Sequence, residues 1–202
     1  MILLLDNGHG TNTPGKCSPD KRLKEYEWAR DMVRLIAQKA KAKGIQYEFI
    51  TPETTDISLT ERVRRVNSYC SKYGTKNCIL VSVHNNAAGA DGNWHDAKGF
   101  SVFVSKNAST NSKRCAVIFT EEAQARNLLG NRSVPKEMYW TWSWTKSDIY
   151  ILKNTNCPAV LTECLFQDNK ADVDYLLSDA GKDTLAELHI TAIERYIKTM
   201  PK

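Results

Sequence analysis

Cys78-Ile79-Leu80-Val81-Ser82-Val83-His84 is a near-continuous apolar run, rich in β-branched residues, that closes on an ionisable side chain. It is too short for a free-standing helix, and strands covered on both faces by helices read this way. Its surroundings alternate between strand-like and helix-like segments. Upstream, Ser58-Leu59-Thr60-Glu61 has the spacing of a capping box and opens a helix through about Ser71. Ile45–Ile50 reads as a strand, and a helix from about Lys24 to Lys43 precedes it and stops at Gly44. Met1–Asp6 is a first strand that runs into the turn-rich Asn7-Gly8-His9-Gly10. Downstream come a Gly- and Ala-rich loop over 85–98, a strand at Phe100–Val104 and a long helix over roughly 111–128. Ile149–Leu152 and Pro158–Thr162 read as two further strands, and helices over about 168–178 and 181–199 close the chain. This order predicts an α/β fold: a three-layer sandwich with a mostly parallel, about six-stranded sheet between helices. Without repeats or linkers, residues 1–202 are expected to form one domain.

Composition narrows the function. The chain has 202 residues with 28 Lys+Arg against 23 Asp+Glu, a formal charge of +5 that is too weak to argue for nucleic acid. No apolar run approaches the ~20 residues of a spanning helix, so no membrane span is expected. Met1–Leu5 is too short for a signal-peptide core, so no export signal is read in this chain. The six cysteines form no CxxC pair, which excludes a zinc ribbon or a thioredoxin-like motif and leaves reduced thiols as the expectation.

Ligands of open α/β sheets bind beyond the carboxyl ends of the strands. His9, His84 and Glu163 each follow directly on an apolar run, so the sheet itself would gather them at one edge. The first helix adds a fourth candidate. Its apolar stripe is Ala29, Met32, Val33, Ile36 and Ala40, and four residues before Ala29 lies Glu25. Glu27, by contrast, shares its face with Asp31, Arg34 and Gln38 and reads as solvated. A carboxylate on a buried stripe needs a partner, and a metal held by His9 and His84 would be one. Two histidines and one glutamate make the ligand set of an open catalytic zinc site, with Glu163 as general base.

These segments resemble the zinc-dependent N-acetylmuramoyl-L-alanine amidases over almost the whole chain. Asp6-Asn7-Gly8-His9-Gly10 is similar to the family's opening motif, and Leu23-Lys24-Glu25 to the segment bearing its glutamate ligand. Leu59, Arg62 and Asn67 match its helix before the third ligand, Val81 to Ala87 its Ser-x-His-x-Asn-Ala segment, and Pro158 to Glu163 its Pro-x-x-Leu-x-Glu strand. The resemblance implies that His9, Glu25 and His84 bind one zinc ion and that Glu163 is catalytic. It implies a substrate, peptidoglycan or its muropeptides, cut between N-acetylmuramic acid and L-alanine. It also implies a place of action at the cell wall, either in the envelope or as a phage-type lysin, and a monomer is expected. Asn7 and the segment 11–24 depart from the family's usual pattern. Another zinc peptidase or deacetylase on this scaffold, and a glycan-binding module without catalysis, are the competing readings; an open ligand position and Glu163 argue against the module.

Other residues carry plainer readings. His95 is read as a solvated loop histidine, His189 as a packed one on the last helix, and Cys164 as a buried thiol. Trp140, Trp142 and Trp144 alternate, so an extended segment would turn all three the same way, either as a sugar or peptide platform or as loop packing. Arg62, Arg64 and Arg65 are expected on a mainly solvated helix face, with Arg62 the one suited to a structural role.

Overall fold

The computed structural model describes residues 1–141 and 148–200. Trp142 and Trp144 lie outside the described residues. The elements in chain order are β1 (Ile2–Asn7), α1 (Glu25–Ala42), β2 (Gln46–Phe49), α2 (Leu59–Tyr73), β3 (Cys78–Asn86), β4 (Ser101–Val104), α3 (Thr110–Ala125), β5 (Trp140–Thr141), α4 (Tyr150–Asn154), β6 (Ala159–Phe166), α5 (Lys170–Leu177) and α6 (Asp179–Lys198). The strands form one six-stranded sheet in the order β2-β1-β3-β6-β4-β5. β2, β1, β3 and β6 are parallel; β4 runs antiparallel to β6, and β5 follows the direction of β4.

Strand alternation sorts the side chains into two layers. Leu3, Leu5, Ile79, Val81, Val83 and Val160 pack with α1, α3, α5 and α6. Ile2, Leu4, Leu80, Ala159 and Leu161 pack with α2 and α4 on the other face. The stripe read on α1 is buried at every position named for it. Ser58 caps α2 through a 3.3 Å bond from Glu61 N to its hydroxyl, while the Glu61 carboxylate turns to Arg64 and Arg65 instead of back to the cap.

Two expectations need correction. The apolar run Ile149–Leu152 is not a strand: Tyr150–Asn154 is helical, and Ile151 and Leu152 pack under it against the α2 side of the sheet. A short apolar run with no turn signal fits either element. The sixth strand is Trp140–Thr141, which pairs with Phe103 and Val104. In addition, β3 and β6 run past His84 and Glu163, so these two lie within strands and not at their ends.

His189 is fully buried, as its place on the α6 stripe predicts. Its Nδ1–H donates to Leu185 O at 2.7 Å, and Nε2 stands 3.0 Å from Thr162 Oγ1, which donates to it. Burial holds its pKa down at about 4, so it folds as the neutral imidazole. The unfolded chain then binds the extra proton between the ordinary value of ~6.5 and about 4, and folding stability must fall as pH drops through that window. The stability gap between the wild type and His189→Gln should therefore narrow by up to ~3 kcal/mol from pH 7 to pH 4. Urea midpoints at the two pH values measure it, and a gap independent of pH would refute the buried neutral state.

Candidate metal centre

Glu25 opens α1 and is 1% exposed. Its backbone N–H donates to Lys16 O at 2.9 Å, and Cys17 bridges Lys24, so a short antiparallel pairing fixes where the helix begins. Glu25 Oε1 receives Asn85 N at 3.1 Å and lies 3.1 Å from His84 Nδ1 and 3.4 Å from His9 Nε2. The imidazole rings meet edge to face, 5.1 Å apart. One donor atom from each of His9, Glu25 and His84 falls within 4.8 Å of the others, and Glu25 Oε2 is buried without a partner. The predicted ligand set is thus brought together. Glu27, predicted to face solvent, is exposed and pairs with Lys24 at 3.1 Å.

Electrostatics follow from this packing. Burial alone would raise the Glu25 carboxyl, but the hydrogen bonds and charges of His84 and His9 hold it well below the usual carboxylate range. Burial opposes charge on His84, and Glu25, Glu163 and Asp6 outweigh it to raise the imidazole above its ordinary value. Glu163 is the Cα partner of His84 across β3 and β6. Burial pushes its carboxyl up to about 7 despite the nearby His84, and its Oε2 is buried and unpartnered. A bulge just beyond it, with Leu165 at φ 64°, lets β6 spend one extra residue against β3.

His9 is held by groups that its motif alone does not reveal. It adopts φ 60°, a left-handed conformation uncommon outside glycine, though less so for histidine than for most residues, and one found at functional sites. Gly8 N donates to Val83 O at 3.0 Å, Gly10 N to Thr13 Oγ1 at 3.0 Å, and Arg30 Nη1 to His9 O at 3.1 Å. Below them Asp6, 1% exposed, accepts from Ser82 Oγ at 2.6 Å and pairs with Arg62 Nη1 at 2.7 Å. Arg62 also donates to Asn7 O, Ile57 O and Asp56. The helix face that carries Arg62 is therefore not solvated at that position: Arg62 is 3% exposed and locks the chain just before His9. Asp6 in the opening motif was the available signal for such a partner.

Beside the two histidines opens a groove of about 620 Å³, lined by Ile57, Leu59, Arg62, Tyr150 and Leu161 among others. Leu59 and Tyr150 are 52% and 43% exposed and rim it. His95 takes no part in the cluster: its Nε2 lies 2.9 Å from Asp91 on the loop after β3, where it was expected. Cys164 is a fully buried thiol.

Comparison with known proteins bears on this geometry. The family profile of N-acetylmuramoyl-L-alanine amidase matches residues 3–195. The chain is 28% identical to the endolysin of Bacillus phage SPP1, over its whole length and 68% of that protein. It is 22% identical to the probable cell wall amidase LytH of Staphylococcus saprophyticus, over 96% of this chain and 57% of the relative. In structure it is similar to the N-acetylmuramoyl-L-alanine amidase of Clostridium difficile 630, with a TM-score of 0.81, 23% identity, and 99% and 98% of the two chains covered.

The packing of Gly8 gives a direct test of the centre. A Cβ built there would stand 2.3 Å from the His84 ring, which could not keep its present place 3.1 Å from Glu25 Oε1. Where His9, Glu25 and His84 bind Zn²⁺, Gly8→Ala is expected to weaken that binding ~10- to 100-fold, the range seen when groups that orient ligands are lost. Competition against a chromophoric chelator measures this, and an unchanged affinity would contradict the arrangement.

Proposed function

The chain belongs to the N-acetylmuramoyl-L-alanine amidase family, and from that premise we propose that it hydrolyses the amide between N-acetylmuramic acid and L-alanine of peptidoglycan, using one zinc ion held by His9, Glu25 and His84. The observation that carries the reading is the convergence of three donors within 4.8 Å on a carboxylate whose second oxygen is buried and unpartnered. Two imidazoles and a carboxylate suit zinc, and they leave one position of a tetrahedron for water or substrate. When bound, the ion supplies Lewis acidity toward a carbonyl oxygen and a water.

The remaining work falls to the chain itself. Asn85 N and the two imidazoles hold the Glu25 carboxylate in one orientation. Arg30 and Arg62 fix the backbone on either side of the Gly8-His9 turn. Glu163, one strand from His84, takes the proton of the attacking water on a carboxylate oxygen and returns it to the leaving amine. The groove beside the histidines, apolar at Ile57, Leu59 and Leu161, receives part of the substrate. In this reading residues 1–202 form the catalytic unit and act on the cell wall, as the phage and staphylococcal relatives suggest by their names.

Glu25→Ala should lose zinc while Glu27→Ala retains it, as measured by metal content after dialysis; the reverse pattern would dismantle the ligand assignment. Glu163→Ala should keep its fold and its metal and lose hydrolysis by ~10²- to 10⁴-fold, the usual share of a general base. Mass analysis of products from purified muropeptides identifies the bond. A released peptide beginning at L-alanine is expected, and cleavage elsewhere would replace the amidase with a peptidase or a deacetylase.

A further inference from the structure

Arg132 lies in the segment between α3 and β5 and is half-buried. Its guanidinium carbon stands 5.6 Å from the ring centre of Trp140 and 5.6 Å from that of Phe166. Nη1 donates to Ser101 Oγ at 3.3 Å. Ser101 is the β4 residue paired with Glu163 of β6. Since β6 separates β3 from β4, Ser101, which Arg132 touches, lies on the side of Glu163 away from His84, one strand spacing (~4.8 Å) on.

A guanidinium has five N–H donors in a planar fork. Among the described residues, Arg132 uses a single hydrogen bond, to a neutral hydroxyl, and faces no carboxylate within ion-pairing distance. Both rings lie within cation–π distance of the guanidinium. Burial works against its charge, and Glu163, whose field favours it, does not approach closely enough to pair with it. A stacked, partly desolvated arginine without an acid is built to receive a planar anion from outside the chain.

The position of Arg132 indicates which part of the substrate it meets. Glu163 hands a proton to the leaving amine, so that amine lies on the Glu163 side of the centre. A group that reaches past Glu163 toward β4 belongs to the peptide that departs. We propose that Arg132 is a specificity-determining contact that clamps a carboxylate of the stem peptide on the leaving-amine side of the scissile amide. The acidic residue that follows L-alanine carries such a group when it is joined onward through its side chain. The inference rests on the amidase reading above.

The test uses zinc-loaded Glu163→Gln protein, so that ligand binding is measured without turnover. Two muropeptides are titrated by calorimetry; they differ only in whether the residue after L-alanine bears a free carboxylate or a carboxamide. The carboxylate form should bind ~10- to 100-fold tighter, the value of a charge-assisted bond. Adding Arg132→Gln should remove that preference without changing zinc content, and Arg132→Lys should not restore it, because lysine lacks the fork. Equal binding of the two ligands, or equal weakening of both by Arg132→Gln, would overturn the clamp. Cleavage of another bond by the wild type, with the carboxylate preference intact in Glu163→Gln, would overturn the amidase reading and leave only the carboxylate contact of Arg132 standing.

Discussion

A carboxylate withdrawn from water at the first turn of α1 sets the terms for the structure around it. Leaving a charge uncompensated in such a place would cost several kcal/mol, so the fold must bring donors to it. Glu25 Oε1 meets a backbone N–H from β3 and the imidazoles of His84 and His9, which arrive from β3 and from the turn after β1. The first helix, the first turn and the central strand are thereby tied at one point. The short pairing of residues 16–17 with 24–25 fixes the start of the helix, and without it the carboxylate would not stand at the sheet edge.

A second buried charge system lies one step back along β1. Asp6, Arg62, Ser82 and Asp56 form a connected polar network across β1, β3 and α2. Buried ion pairs add little net stability over apolar packing, yet removal of one partner is costly. Their value here is geometric: Arg62 also binds Asn7 O, and Arg30 binds His9 O, so the backbone of a left-handed histidine is gripped from both sides. The donor atoms of His9, Glu25 and His84 are thereby held within 4.8 Å of one another by the fold itself.

The layering was legible in the sequence because buried parallel strands leave long β-branched runs; the stop of α1 at Gly44 and the Ser58 cap of α2 held, while Glu61 does not close the capping box. His9, His84 and Glu163 were legible because each follows an apolar run, and Glu25 because it lies one turn ahead of the apolar stripe of α1. Periodicity describes one element at a time, however, and says nothing about partners. Arg62 was set apart from Arg64 and Arg65 as suited to a structural role, but its partner Asp6 is identified only by tertiary packing. The Ile149–Leu152 run was misread because four apolar residues satisfy a strand and a helical turn equally well. Arg132 had no signal: the segment 129–147 lacks periodicity, and of its two aromatic neighbours Trp140 lies within that segment while Phe166 of β6 is distant in the chain.

The reversal of strand direction at β4 has an architectural consequence. β3 ends at Asn86 and β4 begins at Ser101 on the same edge, so residues 87–100 pass over the end of β6 without crossing a helical layer. The connection is moored at Ala88, Gly89 and His95 to Asp168, and at Gly99 to Asp172. Between moorings its length is free, and doubling a loop adds only ~0.6 kcal/mol of closure entropy. Insertions and deletions there would remodel the separate hollow that Ala87, Gly89 and Asn93 line with Lys16 and Cys17, while every strand keeps its register. Diversification of what such a scaffold recognises then requires no change in the residues that do its chemistry.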